Sequence, residues 1–316
     1  MLDQSPQQVT RVCCIGAGPI GGGWAAHFLA RGYRVTSYLH DAGEYDALLR
    51  LLQTAWASLE QIGLEPGASL DNFNWTTDLA EATAGAEFIQ ESVPEVLALK
   101  QSLYRTLGDI VDPRVVIASS TSGLSMTDIQ ADCATPERTV VAHPFNPPYL
   151  LPLVEMIGGK KTSAETVTWS EQFYRCAGKS PLVMNKEVPG FIATRLQEAI
   201  WREALHMVAN GEATVEQIDQ AVVNGPGPRW ALMGPCEIFH VGGGEGGMAY
   251  CLEQFGPALK LPWTRLVAPE LTDELRAAMV DGCVEMTGGQ DFTTLSQKMN
   301  DGLVEIAKLK RKFESS

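Results

Sequence analysis

The sequence predicts an α/β fold: a doubly wound parallel sheet over residues 1–188, followed by a smaller all-helical domain over residues 189–316. Three observations carry this expectation. Short β-type runs alternate with longer helical ones from Arg11 to about Gly190, the pattern of a mostly parallel sheet flanked by helices. A glycine-rich turn, Gly16-x-Gly18-x-x-Gly21, joins the first such strand to the first helix. Beyond Val188 strand candidates become few and the spacing turns helical. A chain of 316 residues also exceeds the usual size of a single domain, so two are expected.

In chain order the strand candidates are "RVCCI", "RVTSY", "FIQES", "RVVIAS", "RTVVAH", "PLVEMI" and "PLVMN", each a short run of apolar or alternating character. The helical candidates between them are "GWAAHFLARG", "EYDALLRLLQTAWASLEQIG", "EVLALKQSLYRTLGDI" and "SAETVTWSEQFYRCAG", where apolar residues recur at three and four. The linker "KEVPG" leads into "GFIATRLQEAIWREALHMVANG", and Pro189 is expected in the first turn of that helix.

Composition excludes whole classes of partner. Lys and Arg number 24 against 38 Asp and Glu, a formal net charge of −14. Such an excess repels nucleic acid and anionic membrane surfaces. Seven scattered cysteines without a C-x-x-C pair suit reduced thiols in a cytosol, and no metal site is expected. The polar start "MLDQSPQQVTR" lacks a signal-peptide core, and no run approaches the ~18 apolar residues of a membrane span. A cytoplasmic protein acting on a small molecule is the expectation.

The glycine turn has its full context: an apolar strand before it, a helix after it and a second strand from Arg34. Gly16 supplies torsional freedom, Gly18 lets the backbone approach a pyrophosphate, and Gly21 permits close packing. The helix start, with Ile20 and Gly21, then supplies amide donors to phosphate. This is the dinucleotide-binding signature of a Rossmann-type sheet. The acidic residue that binds the adenosine ribose is expected near Leu39, yet the sequence reads "SYLHDA" there. Asp41 is the nearest carboxylate; it either reaches the ribose or is an exposed loop acid. No Arg follows the strand closely to favour a 2′-phosphate, so NAD is expected over NADP.

In "HPFNPPYLLPLVE" (143–155) a histidine ends one strand, and a glutamate lies within the next apolar run. Period-two alternation puts Leu151, Leu153 and Glu155 on one face. Glu155 therefore either faces solvent among leucines or is buried and paired. If the proline-rich turn brings it to His143, the carboxylate orients the imidazole and raises its basicity, which makes a general base; the alternative is a structural histidine in a turn. Upstream, "VVIASSTSGL" ends a strand in hydroxyls at the carboxyl edge, where ligands bind. Ser122 there is a candidate donor to substrate or, equally, a helix cap or serine turn before "MTDIQ".

Five separated motifs, in order, resemble the L-3-hydroxyacyl-CoA dehydrogenase superfamily: Gly16-Ala-Gly-x-Ile-Gly21, "ESVPE" with Lys100 five residues past Glu95, "SSTSGL", "HPFNP" and "PGFI-x-x-RL" from Pro189 to Leu196. The resemblance covers roughly residues 10 to 250 and implies an NAD-dependent dehydrogenase of secondary alcohols. It implies His143 as base, Glu155 as its carboxylate partner and Ser122 as a hydroxyl that holds substrate and nicotinamide. Glu95, Lys100 and Asn146 fall where the family contacts the nicotinamide half of the cofactor. A homodimer formed through the helical domain is implied as well.

One position departs from the superfamily. Thr194 stands where hydroxyacyl-CoA enzymes usually carry Asn before Arg-Leu, which argues for a substrate group other than a thioester. Within the superfamily, residues 143–155 and 231–264 are most similar to the branch of L-carnitine dehydrogenases, and less so to the lambda-crystallin/L-gulonate 3-dehydrogenase branch, whose members include structural crystallins. A trimethylammonium group calls for aromatic faces. Phe145 and Phe255 are the chosen cage candidates among a set that includes Trp230, Phe239 and Trp263, each of which is otherwise a core residue. Ile192 and Ala193 beside Thr194 are expected to shape the wall.

Overall fold

Eight strands line up in one sheet: β1 (Arg11–Ile15), β2 (Arg34–Tyr38), β3 (Phe73–Thr76), β4 (Phe88–Glu91), β5 (Val116–Ser119), β6 (Thr139–Pro144), β7 (Leu153–Ile157) and β8 (Ser180–Val183). Their spatial order is β3-β2-β1-β4-β5-β6-β7-β8. The computed structural model describes residues 4–231 without a break. From there to 314 it describes all but 232, 244, 246, 258–260, 262, 263, 265–269, 271, 276, 279, 280, 282–287, 289 and 291. Pairing is parallel from β3 through to β6, antiparallel between β6 and β7, and parallel again between β7 and β8.

Helices α1 (Pro19–Ala30), α2 (Tyr45–Ile62), α3 (Leu79–Thr83), α4 (Leu97–Ile110), α5 (Met126–Ile129) and α6 (Ala164–Cys176) connect the strands. Layering follows from strand periodicity. In β1, Val12 and Cys14 join one buried apolar cluster with Trp24 and Phe28 of α1. Cys13 and Ile15 point the other way, into a second cluster with Tyr104 and Leu107 of α4. A parallel strand covered on both faces reads as a continuous apolar run, and "VCCI" does so. Burial pushes the Cys13 thiol up to about 12, which leaves it a packing residue rather than a nucleophile.

All seven strand candidates are strands, and one strand went unforeseen. β3, "FNWT", is four residues long, half-exposed and carries Asn74, too short and too polar for a period-two signal. The linker also differs from expectation. Pro189 lies in a turn, and α7 starts later, at Ala193–Ala209. Gly190 and Phe191 have φ of 71° and 49°, left-handed values that a right-handed helix cannot contain.

The chain divides into two compact units between Ile192 and Ala193. The second is helical, with α7, Val215–Asn224, Gly227–Trp230, Pro235–Gly242, Gly247–Phe255 and Phe292–Glu314 and no strand among the described residues. Thr214 caps one of these helices, accepting from the Gln217 amide, while the Gln217 side chain accepts from the Thr214 amide. Among the described residues, no helix is long and apolar enough to cross a membrane.

Candidate active site

The glycine turn is built by close approach. Gly16 has φ of 110°, and a Cβ there would lie 2.6 Å from the Ser92 carbonyl oxygen; one at Gly21 would lie 2.1 Å from the Gly16 oxygen. At Gly18 a Cβ would meet nothing within 4 Å, so open space lies over the start of α1. Pro19 occupies the first helical position, and the Gly22 amide is already bonded to the Gly18 carbonyl at 2.8 Å. The amides of Ile20 and Gly21 therefore precede the helical ladder, at the positive end of the helix dipole. This is a cradle that suits a dinucleotide diphosphate.

Just past the end of β2, where the sequence pattern leads one to expect a ribose-binding acid, Leu39 is fully buried. Asp41 is exposed, and its carboxylate accepts from the Gly43 amide at 2.7 Å, a bond that caps a short 3-10 turn. Leu39 instead joins the apolar cluster under α1 and α2.

Next along the carboxyl edge, a polar network ties β4 to β5. Glu95 Oε1 accepts from Thr121 Oγ1 at 2.6 Å and from the amides of Ser122 and Gly123 at 2.9 and 3.0 Å. It thereby shapes the hydroxyl loop that carries Ser122. Ser122 itself is exposed, and the cap of α5 is Ser125, so the helix-cap alternative for Ser122 does not hold. Lys100 is buried, and its ammonium donates to Glu91 Oε1 at 2.6 Å and to the Val93 carbonyl at 3.2 Å, with Glu95 at 3.8 Å. Glu91, fully buried, also accepts from Ser119 Oγ at 2.6 Å. Sequence reasoning missed Glu91; a carboxylate closing the apolar strand "FIQE" was the signal for it.

His143 and Glu155 are direct partners across the antiparallel β6–β7 pair. His143 Nδ1 lies 3.0 Å from Glu155 Oε2, and the carboxylate is fully buried. An ionised carboxylate only accepts, so the hydrogen of this pair is on Nδ1, and in the neutral imidazole the lone pair is then on Nε2. Glu155 Oε1 accepts from the Ile192 amide at 2.9 Å, so both oxygens are satisfied, as a buried charge demands. Phe145 and the buried Phe191 flank the imidazole, with ring centroids 5.3 and 5.4 Å from it. Asn146 follows, exposed, at the start of the connecting turn. Phe191 was also missed, because its contact depends on a left-handed backbone.

The remaining candidates belong to the second unit. Ala193 and Thr194 open α7, and Phe255 ends Gly247–Phe255, with its ring largely exposed. Trp263 and Cys283 lie outside the described residues.

Comparison with known proteins places both halves of the chain in one family. Residues 11–188 match the family model described as 3-hydroxyacyl-CoA dehydrogenase, NAD binding domain, and residues 190–279 that of the 3-hydroxyacyl-CoA dehydrogenase C-terminal domain. The chain is 56% identical over 302 residues to an L-carnitine dehydrogenase of Streptomyces coelicolor, covering 96% of this chain and 95% of that one. It is 54% identical over 302 residues to an L-carnitine dehydrogenase of Streptomyces griseus, covering 96% and 90%. A solved structure of 5-formyl-3-hydroxy-2-methylpyridine 4-carboxylic acid 5-dehydrogenase, an NAD+ dependent dismutase, superposes with a TM-score of 0.80 at 29% identity, over 96% of this chain and 98% of that one. With both of its halves matched and its glycine cradle intact, the chain belongs to the 3-hydroxyacyl-CoA dehydrogenase family and is an NAD-dependent oxidoreductase.

Proposed function

We propose that the protein oxidises the 3-hydroxyl of L-carnitine to 3-dehydrocarnitine. The observation that carries this reading is 54–56% identity, over nine-tenths or more of each chain, to enzymes named for that reaction. Bound NAD+ supplies the hydride acceptor. Gly16, Gly18, Ile20 and Gly21 hold its diphosphate, Asp41 its adenosine ribose, and Glu95, Lys100 and Asn146 its nicotinamide half. His143 Nε2 takes the carbinol proton while Glu155 keeps Nδ1 protonated and shares the positive charge that develops. Ser122 donates to the substrate oxygen.

In the first unit Phe145 is our choice of aromatic face for the trimethylammonium group, with Ile192 as a further substrate-binding residue; in the second we name Ala193, Thr194 and the aromatic Phe255. A cation–π contact of this kind contributes about 0.5–2 kcal/mol. We place the functional boundary between cofactor and substrate domains after Val188, and read the protein as a cytoplasmic homodimer joined through its helical domain. The Lys100 contact fits this scheme least directly, because its ammonium is bonded to Glu91.

Following NADH absorbance with L-carnitine, D-carnitine, L-gulonate and 3-hydroxybutyryl-CoA tests the reading. Preference for L-carnitine is expected. Preference for L-gulonate or the CoA ester displaces it, and absence of turnover with all four overturns the carnitine assignment in favour of another secondary alcohol. Phe255→Ala is expected to raise KM for carnitine without altering NAD affinity, and unchanged kinetics removes Phe255 from the cage.

A further inference from the structure

A chain of polar groups runs from the interior of the sheet to the glycine turn. Tyr174, fully buried, donates its hydroxyl hydrogen to Gln90 Oε1. The amide is thereby oriented with Nε2 towards Ser120, whose Oγ it reaches at 2.9 Å. Trp24 Nε1 donates to the same oxygen at 3.2 Å, and Ser92 Oγ lies 2.8 Å from it. The reverse amide orientation would leave the Tyr174 hydrogen without an acceptor among the described residues, a costly arrangement in a core.

A serine hydroxyl has two lone pairs and one hydrogen. Both lone pairs of Ser120 are taken, by an indole N–H and an amide N–H that can only donate. Its hydrogen therefore goes to Ser92. Ser92 is the acceptor in that pair, its own hydrogen is turned away from the core, and no acceptor for it lies among the described residues.

The position of Ser92 says what that hydrogen is for. Its carbonyl oxygen is the atom a Cβ at Gly16 would strike, and its Cβ is 3.5 Å from where a Gly21 Cβ would stand. Ser92 thus sits against both ends of the glycine turn, partly exposed. We infer that Ser92 is a cofactor-binding residue: its hydroxyl donates a hydrogen bond to an oxygen of the dinucleotide, and Tyr174, Gln90 and Trp24 fix it as a donor. The inference rests on the NAD-binding fold and is independent of which alcohol is oxidised.

Binding alone tests it, with the full-length protein and no alcohol present. Ser92→Ala is expected to raise the Kd for NADH and for NAD+ about tenfold, the scale of one hydrogen bond to a charged or strongly polar group. ADP-ribose as ligand locates the contact: an equal loss puts the acceptor on the diphosphate or its riboses, and a loss confined to NAD(H) puts it on the nicotinamide. Gln90→Met frees a lone pair on Ser120, so the Ser92 hydrogen can turn inward; NADH binding should weaken several-fold, and not further in the Ser92→Ala background. Kd values for Ser92→Ala within twofold of the parent, with its unfolding transition intact, would overturn the assignment, and additive losses in the double variant would overturn the relay.

Discussion

His143 and Glu155 stand directly opposite each other across β6 and β7, Nδ1 to Oε2 at 3.0 Å, while the second carboxylate oxygen holds the Ile192 amide at 2.9 Å. One buried carboxylate therefore sets both the imidazole tautomer and the start of the linker. A glutamine at 155 has a single acceptor oxygen for two donors, so either the tautomer or the linker bond is lost. Glu155→Gln should lower kcat by about 10²-fold or more, and His143→Ala by about 10²- to 10⁴-fold, with NADH affinity unchanged in both. Steady-state kinetics beside NADH titration checks this, and a variant that loses cofactor affinity in step with kcat contradicts it.

Gly18 separates the needs of the cofactor from those of the fold. Its φ of −69° is accessible to alanine, and a Cβ there meets nothing within 4 Å. Gly18→Ala should leave unfolding free energy within about 0.5 kcal/mol of the parent yet weaken NADH binding at least about tenfold, because the methyl fills the space the diphosphate needs. Denaturant titration and fluorescence titration on the same preparation measure both.

The Glu91–Lys100 pair is buried, with side-chain exposures of 0% and 1%. Lys100→Met leaves the carboxylate charged and unpaired, a loss of about 3–5 kcal/mol by the usual cost of breaking such pairs. Adding Glu91→Gln in the same chain should recover part of that loss, read from urea midpoints. Equal stability of Lys100→Met and the parent would show the pair to be energetically idle.

Lys179 makes stability depend on pH. Its ammonium donates to the carbonyls of Pro148 and Leu151, the latter at 3.1 Å, and lies 4.9 Å over the Trp24 ring, under the turn that joins β6 to β7. Burial first, and the nearby Arg31 charge second, bring it from the ordinary 10.5 down to about 7. Between those values the unfolded chain binds the proton and the folded one does not, so stability rises with pH. The contribution is complete above 10.5 and lost as pH falls through about 7. The slope is at most about 1.4 kcal/mol per pH unit. Chemical denaturation from about pH 7 to 9 should show a component of this sign that is absent in Lys179→Met.

Much of the site was legible in local patterns. "VCCIGAGPIGG" announces the cradle because strand, turn and helix start are contiguous in the chain. "HPFNPPYLLPLVE" raised the pairing of imidazole and carboxylate as one of two alternatives, and the antiparallel register of β6 and β7 decided it. What stayed hidden depends on how elements pack. Glu91 was invisible as the partner of Lys100, nine residues on, since the two meet only when the end of β4 and helix α4 are both in place. Phe191 reaches His143 through a left-handed turn that replaced the expected helix start at Pro189. β3 is defined by pairing with β2 rather than by its own four residues.

By itself the sequence determined the α/β alternation and the dinucleotide turn, because each is encoded by residues close together in the chain, where periodicity and turn chemistry act. Tertiary structure decided which buried charges are paired, which carboxylate holds the linker and which way each buried hydroxyl must point. Those outcomes are set by the high cost of a buried charge or hydrogen-bonding group without a partner, and most of those partners arrive only once remote segments have met.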